Sequence, residues 1–462
     1  MKQIEQNKMG IMPMGRLVLT MALPLMLSML LQAFYNVVDS LFVSKIVSDT
    51  VANAGDKAMK ALTLAMPVQM LMISVHVGTG IGINAILSRF LGQGDKEKAS
   101  RAAGNAIFIA ACFYLIFALF GIFGTDVFLR SQTEDADVLR YGSQYLKICM
   151  IGSIGAAGTL AFEKVLQATG KTTLSMLTQM SGALTNIVLD YGLVLGRLGM
   201  PALGVSGAAI ATIIGQCVSM LVGAVAHYGF NHDVWRSLRY VKPDGAILKE
   251  IFQVGLPAIV MQSLSSVMTF GMNLILNILP GDMITPFGVY SKLQSFIFMP
   301  CFGLNSALIP IIGFSYGARN KERIRQGLLW GMIDALILMG VGIVIIQCFS
   351  AQVVGLFEVS DGVKQTAQTA LRIISLGYLF TGANIVLQGF CQALGNGMDS
   401  LIVSALRMLI ILLPLAWLMA RLGNEIGVWL SFPIAEAAAL VVAIFMTRRL
   451  MKKNDAALEK DA

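Results

Sequence analysis

Residues 17–43 read LVLTMALPLMLSMLLQAFYNVVDSLFV, an apolar run broken by one proline, Pro24, and one acidic residue, Asp39. A helix of about 20 residues crosses the hydrocarbon core of a bilayer at 1.5 Å per residue, so this run is long enough to span a membrane. A carboxylate inside a span costs about 2.5 to 3.5 kcal/mol on insertion scales and normally faces a cavity or marks an ion pathway. Asp39 is therefore the first functional candidate. Gln32, Tyr35 and Asp39 stand at i, i+3 and i+7, which places them on one polar stripe of the helix as candidate cavity residues. The blander reading puts Asp39 in the headgroup layer at the end of the span. Leu41, Phe42 and Val43 argue against it, because they continue the apolar run to Lys45.

Composition extends that reading to the whole chain. With 56% hydrophobic and 13% charged residues and a mean hydropathy of +0.73, the sequence lies outside the range of soluble domains and fits an all-α polytopic membrane protein embedded in a lipid bilayer. The net charge of +8 is spread over loops and forms no continuous basic tract, so no nucleic-acid partner is expected. The six cysteines form no CxxC pair and are expected to act as small buried apolar residues. His76, His227 and His232 lack metal-ligand spacing, and no cofactor is expected. Residues 1–16 carry no cleavable signal, so the first span is expected to direct its own insertion.

Apolar runs predict twelve spans, near 15–44, 60–90, 99–124, 140–168, 172–196, 204–228, 247–279, 284–315, 324–350, 363–392, 400–421 and 426–448. They divide into an N-terminal lobe (1–228), a polar linker (229–246) and a C-terminal lobe (247–462). Lys and Arg concentrate on one side, among them Arg16, Arg89, Lys96, Arg101, Arg236, Lys321, Arg323 and Arg448. By the positive-inside rule both termini are cytoplasmic and the acidic loop Asp126 to Asp137 is external.

The lobes are repeats. A shift of 225 residues places Gln167-Ala-Thr-Gly170 on Gln392-Ala-Leu-Gly395, Leu146-Lys-Ile148 on Leu371-Arg-Ile373, and Gly152 on Gly377. The same shift sets Gly92-Gln-Gly-Asp-Lys-Glu97 on Gly317-Ala-Arg-Asn-Lys-Glu322, and Gln69 on Gln294. Six spans per copy insert in the same direction, so the copies should be related by an axis along the membrane normal and face one central cavity.

The copies differ in their acids. Aligned through Leu23-Pro24 and Leu256-Pro257, Asp39 corresponds to Met272, while Asn186 and Asp190 correspond to Ile411 and Leu415. Met272 is accordingly expected to tolerate truncation. Asn186 and Asp190, at i and i+4, share a face of the fifth span. Asp39 precedes Lys45 by six residues and Asp190 precedes Arg197 by seven, so both lie roughly 10 Å inside the same boundary. Thr212 on the sixth span reaches a similar depth. Two carboxylates, an amide and a hydroxyl are hard oxygen donors suited to Na⁺, or to a shared proton, since like charges held close raise one apparent pKa. The alternative is a polar helix-packing network without transport chemistry.

Four other polar residues stand inside spans. Glu163, beside Lys164, is expected to be an interfacial anchor. Glu436, behind Pro433, is either a second titrating site or a structural partner of Arg407. Asp334 is expected to be structural, and His76 a helix-contact histidine rather than a proton relay.

The two sixfold halves, the Leu23-Pro24 opening and Arg89-Phe-Leu-Gly-Gln-Gly-Asp95 with its second-half echo resemble the MATE family of multidrug and toxin extruders over nearly the whole chain. Gln32, Tyr35, Asp39, Asn186 and Asp190, with Gly207-Ala-Ala-Ile-Ala-Thr212, are similar to the N-lobe cation pattern of its DinF-like, MepA-type branch. The resemblance implies antiport of cationic, often aromatic compounds against Na⁺ or H⁺ by a monomer in a bacterial or archaeal plasma membrane, without enzymatic activity. It also implies that Ala208 gives its backbone carbonyl to the coupling cation. Many relatives carry Asn where this chain has Glu163. The runner-up, a lipid-linked saccharide flippase of the same superfamily, would be expected to show further spans and a more basic cavity. An intramembrane enzyme needs a nucleophile or metal cluster that the sequence does not offer, and a passive channel leaves the repeat unexplained.

Overall fold

The computed structural model describes residues 7–44, 54–197, 199–357 and 359–460, and every regular element among them is helical. The spans are Met14–Ser44, Ala54–Gly92, Lys96–Phe123, Ala136–Ile151 with Ile154–Ala168, Thr172–Leu193, Val205–Phe230, Gly245–Leu276, Ile284–Gly317, Lys321–Gly355, Asp361–Ser375 with Tyr378–Ala393, Gly397–Arg421 and Glu425–Lys460. By length and apolarity alone eleven of these qualify as membrane crossings. The exception is the fifth, Thr172–Leu193, because Thr, Ser, Asn and Asp interrupt its apolar surface. The helix that falls short as a lipid-facing span is the one that carries Asn186 and Asp190.

The repeat is visible in the backbone. The fourth span breaks at Gly152 with a bend of 44° and the tenth at Gly377 with a bend of 54°. Gln167 Nε2 donates to Ser175 Oγ at 3.0 Å, and the equivalent Gln392 Nε2 donates to Ser400 Oγ at 2.9 Å. Gly170 and Gly395 end these segments at φ +81° and +84°, a left-handed conformation open to glycine without a Cβ clash. The equivalence fails at one turn. Gly94 has φ +74°, while its counterpart Arg319 has φ +55°, a position costing a non-glycine residue about 1 kcal/mol.

The halves meet through symmetric glycine contacts. A methyl group on Gly92 would overlap the Phe314 carbonyl, and one on Gly317 would overlap that of Arg89. Likewise a Cβ on Gly78 would lie 2.7 Å from Ile259 Cα, and one on Gly303 would lie 2.7 Å from Met26 Cα. Small residues thus let the second span close on the seventh and eighth, and the first on the eighth, backbone to backbone. Arg89 reinforces the seam. Its guanidinium lies 3.6 Å from Glu250 Oε2 and stacks over the Tyr316 ring. All these contacts lie toward the basic ends of the helices. Toward the opposite end the seventh span exposes Ser266, Thr269 and Phe270 and the eighth exposes Lys292, Ser295 and Phe296.

The first span is shared between the halves. Leu17, Met21 and Leu25 are fully buried in one apolar cluster with Leu304, Leu308 and Ile312 of the eighth span, whereas its later turns run beside the fifth. Large apolar side chains of the third and twelfth spans, including Leu115, Leu119, Val441 and Phe445, are exposed, as lipid-facing surface must be. Not every cysteine is buried as expected. Cys149, Cys301 and Cys391 are, but Cys112 and Cys217 are half-buried and Cys348 is exposed, because each side chain follows the face its helix presents.

Candidate functional site

The fifth and sixth spans form a close pair built on glycine. A Cβ on Gly215 would stand 2.8 Å from the Gly182 carbonyl and 3.1 Å from Asn186 Cβ, so the bare backbone is what lets Asn186 reach the sixth span. The turn between the two spans is pinned by Leu203 N–H donating to the Leu193 carbonyl at 2.7 Å and by Gly204 at φ +56°.

This pairing brings together Asn186, Asp190 and Thr212, with Ala208 one turn before Thr212 on the sixth span. Asp190 is fully buried, Asn186 is 4% exposed and Ala208 1%. With the amide oriented so that nitrogen faces an acceptor and oxygen a donor, Asn186 Nδ2 donates to Asp190 Oδ2 at 3.0 Å and its Oδ1 accepts from the Thr212 backbone N–H at 3.1 Å. The expectation was an amide oxygen turned toward a cation. In this geometry the amide instead offers the carboxylate a hydrogen.

The first span carries Gln32 and Tyr35 on the side away from Met26, the residue that meets Gly303 of the eighth span. That orientation follows from helical spacing, since positions 32 and 35 lie roughly 120° to 180° around the helix from position 26. The stripe therefore faces the interior of the N-terminal half, where the fifth span packs along the first. Gln32 is exposed and Tyr35 half-buried. The Asp39 backbone is helical, but its side chain and all of Lys45 lie outside the described residues.

The secondary candidates resolve differently. Glu163 is not an interfacial anchor. It is 7% exposed and paired with Lys164 at 3.2 Å, inside a network in which Lys164 Nζ donates to Gln167 Oε1 at 3.0 Å and Gln167 Nε2 donates to Glu163 Oε1 at 2.7 Å. The bend of the fourth span carries this pair inward. Glu436 is the partner of Arg407: Arg407 donates to Glu436 Oε1 from Nε at 2.9 Å and lies 2.8 Å from it through its terminal nitrogen, and Asn384 Nδ2 donates to Oε2 at 2.8 Å. Arg407 reaches inward because residues 406–410 form a π-turn, where Ile411 N–H donates to the Leu406 carbonyl and Pro414 lacks a donor for the ladder. His76 packs edge-on between Phe113 and Phe117, and Asp334 is half-buried on the ninth span.

The sequence reading placed Lys292 inside the eighth span, 284–315, without assigning it a role. The usable signal was its place, eight residues inside the run that begins at Ile284. On the seventh span, Gln262, Ser266, Thr269 and Asn273 continue the stripe of Ile251, Gly255 and Ile259, the residues that meet Gly78, Thr79 and Gly82 of the other half.

Comparison with known proteins agrees with this architecture. The MatE family model matches residues 24–192 and 257–418, one match in each half. A multidrug export protein MepA of Staphylococcus saprophyticus is 26% identical over 94% of this chain and 94% of its own length. Its namesake in Staphylococcus aureus is 25% identical over 95% of each. Among solved structures, the outward-facing conformation of a multidrug resistance MATE transporter of the MOP superfamily superposes with a TM-score of 0.89 at 24% identity, covering 99% of this chain and 98% of that one. A MOP superfamily transporter from Pyrococcus furiosus, described as having a binding pocket of reversed polarity, gives 0.89 at 23% identity, covering 98% and 99%.

Proposed function

Since the chain belongs to the MatE family, we propose that it is a secondary transporter, not an enzyme, that exports small amphiphilic molecules against an inward flow of a coupling cation. The observation that carries this reading is the buried Asp190–Asn186–Thr212 cluster beside the first span. A carboxylate at that depth is costly unless it is loaded and unloaded during a cycle. The cation binds among Asp39, Asn186, Asp190, Thr212 and the Ala208 carbonyl, while Gln32 and Tyr35 on the Asp39 stripe contact the substrate. We take a proton as the coupling ion. A proton can bind the carboxylate with Asn186 as it stands, whereas Na⁺ requires the amide to reverse and present its oxygen.

In this mechanism the glycine seam closes the basic, cytoplasmic end while the opposite end is open to the outside. Protonation of the carboxylates removes charge from the first–fifth span contact and lets the first span repack at Pro24, where the helix lacks a backbone donor. The termini are cytoplasmic, the membrane is the plasma membrane, and one chain suffices.

Dye efflux from everted vesicles, with the proton and Na⁺ gradients imposed separately, tests the proposal. The expected result is efflux driven by the proton gradient alone and abolished by Asp190→Asn in a protein that still inserts. Efflux driven only by Na⁺ would transfer the role to that ion, and normal transport by Asp190→Asn would refute the site.

A further inference from the structure

A short segment precedes the first span and lies across both halves at the basic ends of the helices. Lys8–Ile11 form a helical turn of their own, and Met12, extended before Pro13, breaks that turn from the span that starts at Met14. On the N-terminal side, Asn7 Nδ2 donates to the Thr169 carbonyl at the end of the fourth span at 3.2 Å and to Asp233 Oδ1 at 3.0 Å. Asp233 belongs to that half in its contacts, because Lys96 of the third span donates to the His232 carbonyl at 2.9 Å and Ser100 Oγ accepts from the Trp235 N–H at 2.7 Å. On the C-terminal side, Arg323 at the start of the ninth span donates from Nη2 to the Met9 carbonyl at 2.7 Å and to the Met12 carbonyl at 3.0 Å. These are carbonyls that the end of a short helix leaves without partners. The Met9 side chain is fully buried in the apolar cluster that also holds Ile311 and Ile312 of the eighth span and Ile324 of the ninth.

Asn7 and Met9 are two residues apart, about 7 Å at full extension, so the segment has no slack with which to keep both sets of contacts once the seam parts. We propose that residues 7–12 are a strap across the basic end of the protein, which holds the two halves together there and must release one of them before that end opens. The two anchors are unequal. Releasing Met9 returns a fully buried apolar side chain to water, whereas Asn7 exchanges its hydrogen bonds for others with solvent. The strap therefore lets go of the N-terminal half and stays with the C-terminal one. The export reading supplies the reason for this end to open, but the strap's contacts do not depend on it.

A buried thiol placed in the seam tests this. Ser88 of the second span is fully buried, and a Cβ on Gly313 of the eighth span would lie 2.6 Å from its Oγ. The full chain carrying Ser88→Cys is treated with a maleimide in nanodiscs, and labelling is read peptide by peptide. Native Cys391, 3% exposed and with its Sγ 3.9 Å from Thr447 Oγ1 inside the C-terminal half, stays buried when the halves part and reports general loosening instead. Asn7→Asp keeps the acceptor for the Met9 N–H but loses both donations to the N-terminal half, and Arg323→Gln loses the paired bonds to the strap. Each should raise labelling at position 88 about tenfold, and the double variant should do no more than the larger single one, because a strap cut at either end is already released. Unchanged labelling, effects that multiply in the double variant, or a parallel rise at Cys391 overturns the proposal. Dye efflux by the same variants keeps the two readings apart: strap-dependent labelling in a protein that no gradient drives to efflux refutes export and leaves the strap standing.

Discussion

The two halves share a backbone and differ in what they hang on it. Both break the fourth helix at an equivalent glycine, both tie it to the fifth with a Gln–Ser hydrogen bond, and both offer glycines to the seam between them. In the N-terminal half the fifth span holds Asp190 and Asn186. At the equivalent positions of the C-terminal half stand Leu415 and Ile411, and the polar work is done by Arg407, Glu436 and Asn384, a set with no N-terminal counterpart. The difference teaches that the repeat specifies a frame, on which the two copies place different polar sets. The charged set of the second copy is closed on itself, with Arg407 and Glu436 only 7% and 15% exposed.

Breaking that closed set should have the largest effect on stability. Arg407→Leu leaves a buried carboxylate uncompensated and should cost about 3 to 5 kcal/mol, as should Glu436→Gln for the guanidinium, while the double variant recovers much of the loss. Thermal melting in detergent reads this, and additive losses in the double variant would reject the pairing. Met272, the positional equivalent of Asp39, comes next. Contrary to the tolerance expected from sequence, it is fully buried in the large apolar cluster, so Met272→Ala should cost about 2 to 5 kcal/mol while leaving the ion dependence of efflux unaltered.

The seam tests the symmetry itself. Gly92→Ala and Gly317→Ala each drive a methyl group into a backbone carbonyl of the other half and should cost about 1 to 3 kcal/mol by overpacking. The two should be close in size, and both should raise the labelling rate of a cysteine introduced at Ser306, whose carbonyl lies 3.4 Å from Asn84 Nδ2 across the interface. A large effect in one copy and none in the other would break the comparison.

The smallest effect concerns Asp126, outside the spans, whose position corresponds to Ala351. Hydrogen bonds from Lys147 and Ser143, at 2.5 Å each, hold its carboxyl below the usual carboxylate value. A depressed native pKa means stability that is present above the ordinary value and is lost as pH falls through the native one. Half-exposed as it is, Asp126→Asn should cost below about 1 kcal/mol at neutral pH. The difference from wild type should fade in melts taken at progressively lower pH below the ordinary carboxylate range; a difference that grows there would contradict the assignment.

The number of spans, the repeat and the candidate cluster could be read from residues alone, because each rests on spacing along one helix. Apolar run length counts spans, a constant 225-residue shift reveals the copies, and i, i+4 spacing places Asn186 and Asp190 on one face. Which helices touch cannot be read from spacing. Only the tertiary structure decided that Glu163 turns inward onto Lys164, that Glu436 belongs to Arg407, that Met272 is core, and that Asn186 meets Thr212 of the sixth span. Each of these depends on a bend, a π-turn or a glycine-mediated approach between segments distant in the chain. A residue's own helix says which way it points, and what it meets is set by the packing of all the others.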